Sequence, residues 1–409
     1  MTPFLLFFII ATIICLGFAG SWMFRLTRIP DALLLIAAGL GLRTLLKVDV
    51  SLVQGVAPYF GAFALLVILF EGGLHLDFEL MLKSWRQAIK LLSLSFLFSF
   101  GLIFLISDLA FGRPPLHAAL LASAVACTSA AIVIPLIREV KTDPGVKTVL
   151  ELESSLSDAI AVLFTVTVLN LVRGEGEMAD QIGPVIFSSL TGALVVGIGA
   201  GLAWMWVLKK LSGQPLLYLM TFAGMLMVYA VSEALHSSGV FGVFVFALTF
   251  SNGPKVLAKL FPNFRGKEII EQLSGSDIGR FHAELTFLVR TFFFVFLGML
   301  FDFSHLTWKL LAEGVAIFVM VLLARLIAVR FSFLRGQDPA SWHGARVLFL
   351  FMPRGLATAV LATLPAAYGL HGTQDFVTVT VLVILFTNLA ITIGVRWVER
   401  TAEDGVETK

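Results

Sequence analysis

The stretch ELESSLSDAIAV at residues 151–162 lies inside an otherwise apolar run that extends from Val149 to Val172. At about 1.5 Å per residue, a helix of that length crosses the hydrocarbon core of a bilayer. Two carboxylates, Glu153 and Asp158, fall in the first half of the run. An ionisable side chain at membrane depth costs a few kcal/mol. We therefore expect both acids to face protein or a water-filled cavity and to have a function there.

Helical geometry separates the two acids. Glu153 and Asp158 are five residues apart, and at about 100° per residue this places them about 140° apart around the helix axis. Ser154 and Asp158, four positions apart, share one face, while Glu153 points elsewhere. The spacing predicts that one acid binds something and that the other is paired.

The composition excludes a soluble protein. The chain has 409 residues, of which 58% are hydrophobic and 14% charged, whereas soluble domains average about 25% charged residues. The mean hydropathy is +0.95. Cys15 and Cys127 lie far apart in apolar runs without zinc spacing, so we interpret both as packing residues. The sequence predicts an all-α polytopic membrane protein, with no nucleic-acid partner and no resident cofactor.

The apolar runs predict about 13 transmembrane helices, the ninth being the weakest. Basic residues concentrate in alternate loops, 21 of the 29 Lys and Arg falling on one side. This asymmetry predicts a protein of the cell (inner) membrane, with the N-terminus outside the cell and the C-terminus in the cytoplasm. About ten polar residues follow the last span, so we expect no soluble C-terminal domain. The predicted spans are 4–24, 30–47, 55–76, 87–107, 114–138, 147–172, 183–208, 215–236, 238–254, 281–302, 309–333, 342–369 and 375–398.

Matching interruptions suggest an inverted-topology repeat in which spans one to six correspond to spans eight to thirteen. Thr128 and Ser129 interrupt the fifth span, and Pro353 and Gly355 interrupt the twelfth. Such interruptions at matching places in two halves predict two broken helices and a transport site between them. Thr128 and Ser129 could instead bond back to their own helix. Arg354 either compensates the carbonyl ends of a broken helix or reaches the cytoplasmic face.

Three other ionisable residues lie inside or beside spans. Arg325, in the eleventh span, needs an acid at its depth, and we favour Glu153, which leaves Asp158 to titrate. Glu71, in the third span, either faces the inner mouth of a cavity or is an interfacial carboxylate. For Arg290 a structural function is the better interpretation.

The order of these segments resembles the monovalent cation:proton antiporter superfamily, and most closely its NhaP and sodium/proton exchanger branch. ESSLSD is the most specific segment, since it is similar to the ESLLND of that branch. The resemblance covers essentially the whole chain and implies a sodium/proton antiporter-like fold. The matching segments are FEGGL at 70–74, TSAAIVIPL at 128–136, ESSLSD at 153–158, FFFVFLGM at 292–299, AR at 324–325 and PRG at 353–355.

The resemblance also implies functions for individual residues. Asp158 takes the place of the aspartate that binds ion and proton, Ser154 that of a serine ligand, and Thr128 with Ser129 that of the broken-helix pair. Arg325 stands where the family pairs a basic residue with the glutamate, here Glu153. Glu71 matches an acid of the dimerisation side that can approach the ion. The residues that match the second broken helix are Pro353, Arg354 and Gly355.

The implied assembly is a homodimer embedded in lipid, with a mobile core that slides against a dimerisation part. Within the single unit 1–409, residues 87–172 and 309–398 would form the core, and residues 1–86 and 183–302 the dimerisation or scaffold part. Two positions depart from the family. Ser157 replaces the usual Asn or Asp, and Ser129 replaces a second acid. Because serine does not ionise, we expect one proton per monovalent cation.

These residues predict an antiporter that exchanges Na⁺, and also Li⁺ or K⁺, for H⁺, with the cation held by oxygens of Asp158, Ser154 and Thr128. A buried carboxylate can hold a proton or a dehydrated cation, but not both. One alternative is a potassium/proton antiporter or a Kef-type potassium efflux transporter, whose relatives usually carry a C-terminal nucleotide-binding domain. A remote alternative is an intramembrane enzyme, but the sequence contains no GxGD, HExxH or GxSxG motif.

Overall fold

The computed structural model describes residues 3–27, 29–46, 50–76, 78–172, 182–211, 214, 216–260, 277–301, 306–333 and 341–404. Within these ranges every regular element is a helix, as expected for apolar segments that must satisfy their own backbone hydrogen bonds in a bilayer. The helices of the first half are α1 Pro3–Thr27, α2 Asp31–Leu46, α3 Val50–His75, α4 Phe78–Leu109, α5 Pro115–Val125, α6 Ala130–Glu139 and α7 Pro144–Val172. The others are α8 Ile182–Lys210, α9 Leu217–Ala234, α10 Gly239–Leu260, α11 Asp277–Leu300, α12 Trp308–Phe333, α13 Ser341–Leu350, α14 Leu356–Ala367 and α15 Phe376–Asp404.

In the described residues, each of the thirteen predicted spans overlaps one helix, except the fifth and the twelfth, which each overlap two. Among the described residues, nine segments are long and apolar enough to cross a membrane, and three shorter apolar helices accompany them. The all-α, multi-pass class is therefore confirmed, while thirteen crossings remains a prediction. The segment between the ninth and tenth predicted spans, residues 255–280, falls partly on residues 261–276, which lie outside the described residues.

Burial distinguishes interior segments from peripheral ones. In the most apolar window of residues 115–139, which includes α5 and α6, 83% of the residues are buried, against 22% for the corresponding windows of α1 and α8. Large apolar side chains such as Phe18 on α1 and Val195 on α8 are exposed. Exposed apolar faces of this kind suit contact with lipid, whereas the interrupted fifth span is enclosed by protein.

The chain divides into two compact units. The first comprises residues 1–62, 84–168 and 290–409, and the second comprises residues 63–83 and 169–289. This grouping puts residues 1–62 with the predicted core segments, whereas the sequence assigned residues 1–86 to the dimerisation part. Compactness does not test which part moves, so the predicted division stays a prediction.

In the second unit, α8, α9 and α10 pack against one another. A small residue permits the close approach of α8 to α10, because a Cβ atom on Gly201 would lie 2.6 Å from the Cβ of Thr249. Small residues at such contacts are a common way for membrane helices to pack. Glu71 belongs to this unit and is partly buried.

In the first unit, α12 packs on α15, and α14 packs on α5 and α15. A buried ionic group joins three of these segments at one end. Arg113, in the loop between α4 and α5, donates two hydrogen bonds to Glu313 of α12 and two, of 2.8 and 3.2 Å, to Asp375, just before α15. Burial lowers the pKa of Arg113, but the hydrogen bonds to the two carboxylates outweigh it and raise the pKa above its ordinary value. Arg113 is therefore charged at any physiological pH.

Candidate functional site in the first unit

Two helix breaks meet in the interior of the first unit. The fifth span is interrupted at residues 126–129, between α5 and α6, and the twelfth at residues 351–355, between α13 and α14. The Ser129 N–H donates to the Pro353 carbonyl at 2.9 Å. A Cβ atom on Gly355 would lie 2.2 Å from Ser129 Oγ, so only glycine permits this approach. The predicted pair of broken helices is confirmed.

Asp158 of α7 faces the first break. Its carboxylate is 2% exposed, and Oδ2 accepts a hydrogen bond of 3.3 Å from the N–H of Ala130, the first residue of α6. The start of a helix carries unpaired N–H groups and a partial positive charge, so this is a favourable position for an anionic oxygen. Oδ1 of Asp158 and Oγ of Ser129 are buried without a hydrogen-bond partner in the described residues. The break thus has two oxygen atoms with acceptor capacity to spare.

Ser154 and Thr128 provide further oxygens near the first break. The Ser154 hydroxyl is buried and donates to the Glu151 carbonyl at 3.3 Å, within its own helix. The Thr128 carbonyl accepts a hydrogen bond of 3.0 Å from Ser157. Because a hydroxyl oxygen has two lone pairs and so does a carbonyl oxygen, each of these atoms retains capacity for a further donor or a cation.

Ser157, which the sequence identified only as a departure from the family's Asn or Asp, bridges α7 to the first break. Its Oγ accepts from the Thr128 N–H at 3.0 Å, and its hydroxyl lies 3.0 Å from the carbonyls of both Thr128 and Ser154. One short side chain therefore contacts both the N–H and the carbonyl of Thr128, a residue that belongs to no helix. A buried peptide group without partners would be costly, so Ser157 stabilises the break.

Glu153 and Arg325 lie in direct contact. Glu153 Oε1 accepts from Arg325 at 2.9 Å and from the Thr128 hydroxyl at 3.0 Å, and both charged side chains are 1% exposed. Arg325 also donates to the carbonyls of Leu348 and Phe351, at the end of α13. The pair therefore neutralises itself and connects the first break to the second.

Arg354 lies between the two breaks. It donates to the carbonyls of Val125 and Ala126 at the end of α5, and to the Met352 carbonyl in its own segment. These are the unpaired carbonyls that the end of a helix leaves, and a guanidinium suits their negative charge. Of the two interpretations from the sequence, the structure places Arg354 at the carbonyl ends, with only 1% of its surface exposed.

Several residues of the site were missed by the sequence analysis. In α15, Thr387 accepts from the Arg354 N–H, and the Asn388 side chain donates to the Arg354 carbonyl at 2.9 Å. The pair of polar residues inside an apolar span was the available signal. Cys127, interpreted as a packing residue, lies 3.3 Å from the Thr358 hydroxyl and interacts electrostatically with Asp158.

Taken together, the arrangement leaves one carboxylate paired and the other available. Glu153 is neutralised by Arg325, whereas Asp158 is bound by one backbone N–H and has a partnerless oxygen within the described residues. In the same part of the chain, no group of three His, Cys, Asp or Glu side chains forms a site for a resident metal. What the break can hold is a single proton or a single hard cation with oxygen ligands.

An integral membrane protein with two helix breaks that meet at a buried acid has the architecture of a secondary transporter. The sequence profile of the family described as "Sodium/hydrogen exchanger, transmembrane" matches residues 8–400 of this chain. The chain belongs to that family. Because the family consists of transporters, the prediction that the chain is not an enzyme is confirmed.

Individual relatives agree with this membership. A "K(+)/H(+) antiporter NhaP2" of Shewanella oneidensis is 27% identical over 339 residues, which are 80% of this chain and 54% of that protein. A "Probable Na(+)/H(+) antiporter 2" of Methanocaldococcus jannaschii is 24% identical over 346 residues, covering 82% of this chain and 78% of that protein. This chain thus spans about half the length of the NhaP2 relatives it matches. The names confirm the predicted resemblance to the NhaP branch.

The fold also matches solved structures. The sodium proton antiporter MjNhaP1 from Methanocaldococcus jannaschii, at pH 8, superimposes with a TM-score of 0.78 at 19% sequence identity, and the match covers 97% of each chain. At that identity the match concerns the fold alone, and it confirms the predicted antiporter-like fold.

Proposed function

We propose that this protein exchanges a monovalent cation for protons across the membrane and that Asp158 is the group for which the two compete. The observation that carries the proposal is the contrast between the two buried acids of α7. Glu153 is held by Arg325, whereas Asp158 accepts one backbone hydrogen bond, from the Ala130 N–H, lies beside Cys127, and keeps Oδ1 without a hydrogen-bond partner in the described residues.

Competition for Asp158 would couple the two flows. A charged and empty Asp158 is unfavourable in a low-dielectric interior, because removal from water penalises the charged form. A bound proton or a bound cation neutralises it. Only the occupied site then passes the hydrophobic barrier between the two faces, so each cation that moves one way is matched by a proton that moves the other.

The cation ligands of this proposal are oxygens at the first break. Asp158 Oδ1 provides the charge, and Ser154 Oγ and the Thr128 carbonyl provide neutral oxygens. Ser129 Oγ, buried and without a partner in the described residues, is a further candidate. Following the resemblance, we also propose that Glu71 can approach the bound ion. Such a set of oxygens suits Na⁺, Li⁺ or K⁺.

The finer features of the exchange follow the resemblance. Because the serines at 157 and 129 do not ionise, they add no second acid beside Asp158, so we propose an electroneutral exchange of one proton per cation. We further propose a homodimer in a cell (inner) membrane, with the N-terminus outside and the C-terminus cytoplasmic. Residues 87–172 and 309–398 would move as an elevator against the dimerisation part.

The identity of the cation has two candidates. Na⁺ is favoured by the relative named a probable Na(+)/H(+) antiporter and by the resemblance. K⁺ is favoured by the relative named NhaP2, which is slightly more similar to this chain, at 27% against 24% identity. A potassium/proton antiporter is therefore the second candidate function.

Transport in proteoliposomes tests the proposal. We expect Na⁺, Li⁺ or K⁺, added outside vesicles with an imposed pH gradient, to dissipate that gradient, and Asp158→Asn to abolish the response. Glu151→Gln is the matched control, because Glu151 lies in the same helix and pairs only with the exposed Arg138 in the described residues. It should exchange like the wild type. Exchange by Asp158→Asn at the wild-type rate would refute the assignment.

Two further comparisons resolve the finer proposals in the same vesicles. The cation that gives half-maximal exchange at the lowest concentration identifies the substrate among Na⁺, Li⁺ and K⁺. An electroneutral exchanger should give the same rate with and without a clamped membrane voltage. A rate that rises when the voltage is clamped would show net charge movement and would contradict the one-to-one stoichiometry.

A further inference from the structure

A proline in α6 leaves one backbone carbonyl of that helix without its usual donor. In an α-helix the carbonyl of residue 131 accepts from the N–H of residue 135. Residue 135 is Pro135, inside α6, and proline has no N–H. The Ala131 carbonyl therefore needs a partner from outside the helix, since a buried and unpaired carbonyl is costly.

Arg290 of α11 is that partner. Its Nη1 donates to the Ala131 carbonyl at 3.3 Å, and its Nη2 donates to Asp31 Oδ2 at 2.7 Å. The two side chains are largely buried, with 17% of Arg290 and 10% of Asp31 exposed. Asp31 is the first residue of α2, so one guanidinium joins α2, α6 and α11.

The carbonyl that Arg290 binds is one residue from the proposed transport site. Ala130 precedes Ala131 and gives its N–H to Asp158 Oδ2. Both residues belong to the first turn of α6, which is only ten residues long and follows directly after the break. A shift of that turn would move the N–H away from the carboxylate, so the contact of Arg290 fixes the geometry at Asp158.

A cavity beside Arg290 shows what its removal would do. The cavity has a volume of about 200 Å³ and is lined by Asp31, Ala131, Pro135, Arg290 and residues of α1 that include Phe24. That volume holds several water molecules. Without the guanidinium, water can reach the Ala131 carbonyl, so the protein should still fold while α6 loses its fixed contact.

We propose that Arg290, held by Asp31, is a positioning residue that binds the Ala131 carbonyl left open by Pro135 and so sets the Ala130 N–H against Asp158. This inference rests on the proposed function for its transport consequence. Its structural half, the dependence of Arg290 on Pro135, stands independently of transport.

A set of three variants tests the positioning. In Arg290→Met, we expect the cation KM to rise on the order of tenfold, as a weakened charge-assisted hydrogen bond implies, with kcat changed by less than about twofold. Replacing Pro135 in that background (R290M/P135A) restores an N–H to residue 135 and should recover most of the lost affinity. The control is R290M/P365A, because Pro365 also lies inside a helix, α14, but far along the chain from this carbonyl. It should recover none.

Several results would overturn the proposal. An unchanged KM in Arg290→Met, or equal recovery by the two proline replacements, excludes positioning through the Ala131 carbonyl. An equal loss of kcat and affinity that Pro135→Ala does not reverse points to a general structural defect and also contradicts it. If Arg290→Met does not fold, the same test is made with Asp31→Asn. We then expect a smaller rise in the cation KM, and adding Pro135→Ala must reduce that rise.

Thermal unfolding separates this proposal from the proposed function. Arg290→Met should lower the unfolding temperature, and Pro135→Ala should restore it more than Pro365→Ala does. If the variants show this pattern of unfolding temperatures but the wild type catalyses no exchange, the transport proposal is rejected and the Arg290 contact is supported. The opposite outcome, exchange by the wild type without selective rescue, would reject the contact alone.

Discussion

The two helix breaks are alike at their carbonyl ends, which are both bound by an arginine, but they differ at their N–H ends, since in the described residues an acid faces only the first. The carbonyl ends of both are bound by arginines: Arg354 binds the end of α5, and Arg325 binds that of α13. Their N–H ends differ. At the first break the Ala130 N–H faces the carboxylate of Asp158, whereas at the second the start of α14 has no side-chain cap in the described residues.

This difference indicates where an ion can bind. The second break brings a permanent cation, Arg354, which repels another positive charge. The first break brings an acid with an unpartnered oxygen and several neutral oxygens. Because the Ser129 N–H donates to the Pro353 carbonyl, the two breaks support each other, but in the proposed mechanism only the first exchanges one positive ligand for another.

The largest effect is expected from neutralising the ion pair that links the breaks. Glu153→Gln strands the buried Arg325 and should reduce the free energy of unfolding by about 3–5 kcal/mol. Thermal or chemical unfolding in detergent measures the loss. A double-mutant cycle with Arg325→Met should give a coupling of at least about 1 kcal/mol. Additive effects in that cycle would mean that the pair does not connect the breaks.

A smaller effect is expected from widening the contact between the breaks. Gly355→Ala forces a Cβ against Ser129 Oγ and Cβ and should cost about 2–3 kcal/mol. Ser129→Gly removes both of those atoms, so Gly355→Ala combined with Ser129→Gly should regain most of the stability. Gly101→Ala in α4 meets no atom within 4 Å and serves as the control. A Gly355→Ala protein as stable as that control would contradict the close approach.

The smallest effect is expected at Ser157, which contacts the first break and not the second. Ser157→Ala leaves the Thr128 N–H without its acceptor and should cost about 1–2 kcal/mol in unfolding free energy. We also expect a raised cation KM, because the Thr128 carbonyl loses its anchor. The matched control is Ser155→Ala, another buried serine of α7, whose hydroxyl has no hydrogen-bond partner in the described residues. Equal behaviour of the two variants would deny Ser157 a special function.

Much of this fold can be predicted from the sequence, because long apolar runs indicate membrane helices. The two breaks were predictable too, since Pro353 with Gly355, and Thr128 with Ser129, interrupt such runs at matching places. The pairing of Glu153 with Arg325 was proposed from depth alone, and the structure brings the two side chains together.

Other features required coordinates. Ser157 bonds to the N–H and the carbonyl of Thr128, 29 positions away in the chain, and no local pattern reveals that contact. Arg290 was interpreted only as structural. Its partner is the Ala131 carbonyl, which Pro135 leaves without a donor, and a sequence does not show which backbone carbonyl a side chain contacts. Thr387 and Asn388 were visible as polar residues in an apolar span, but their target, the Arg354 peptide, was not.

The central claim is that proton and cation compete for one carboxylate at the first break. Calorimetric titration of the purified protein with the transported cation, in buffers of different ionisation enthalpy, counts the protons released on binding. We predict that the release approaches about one proton per cation as the pH is lowered, and falls toward zero at alkaline pH. Asp158→Asn should release none. Cation binding without proton release at every pH, or undiminished release from Asp158→Asn, would contradict the claim.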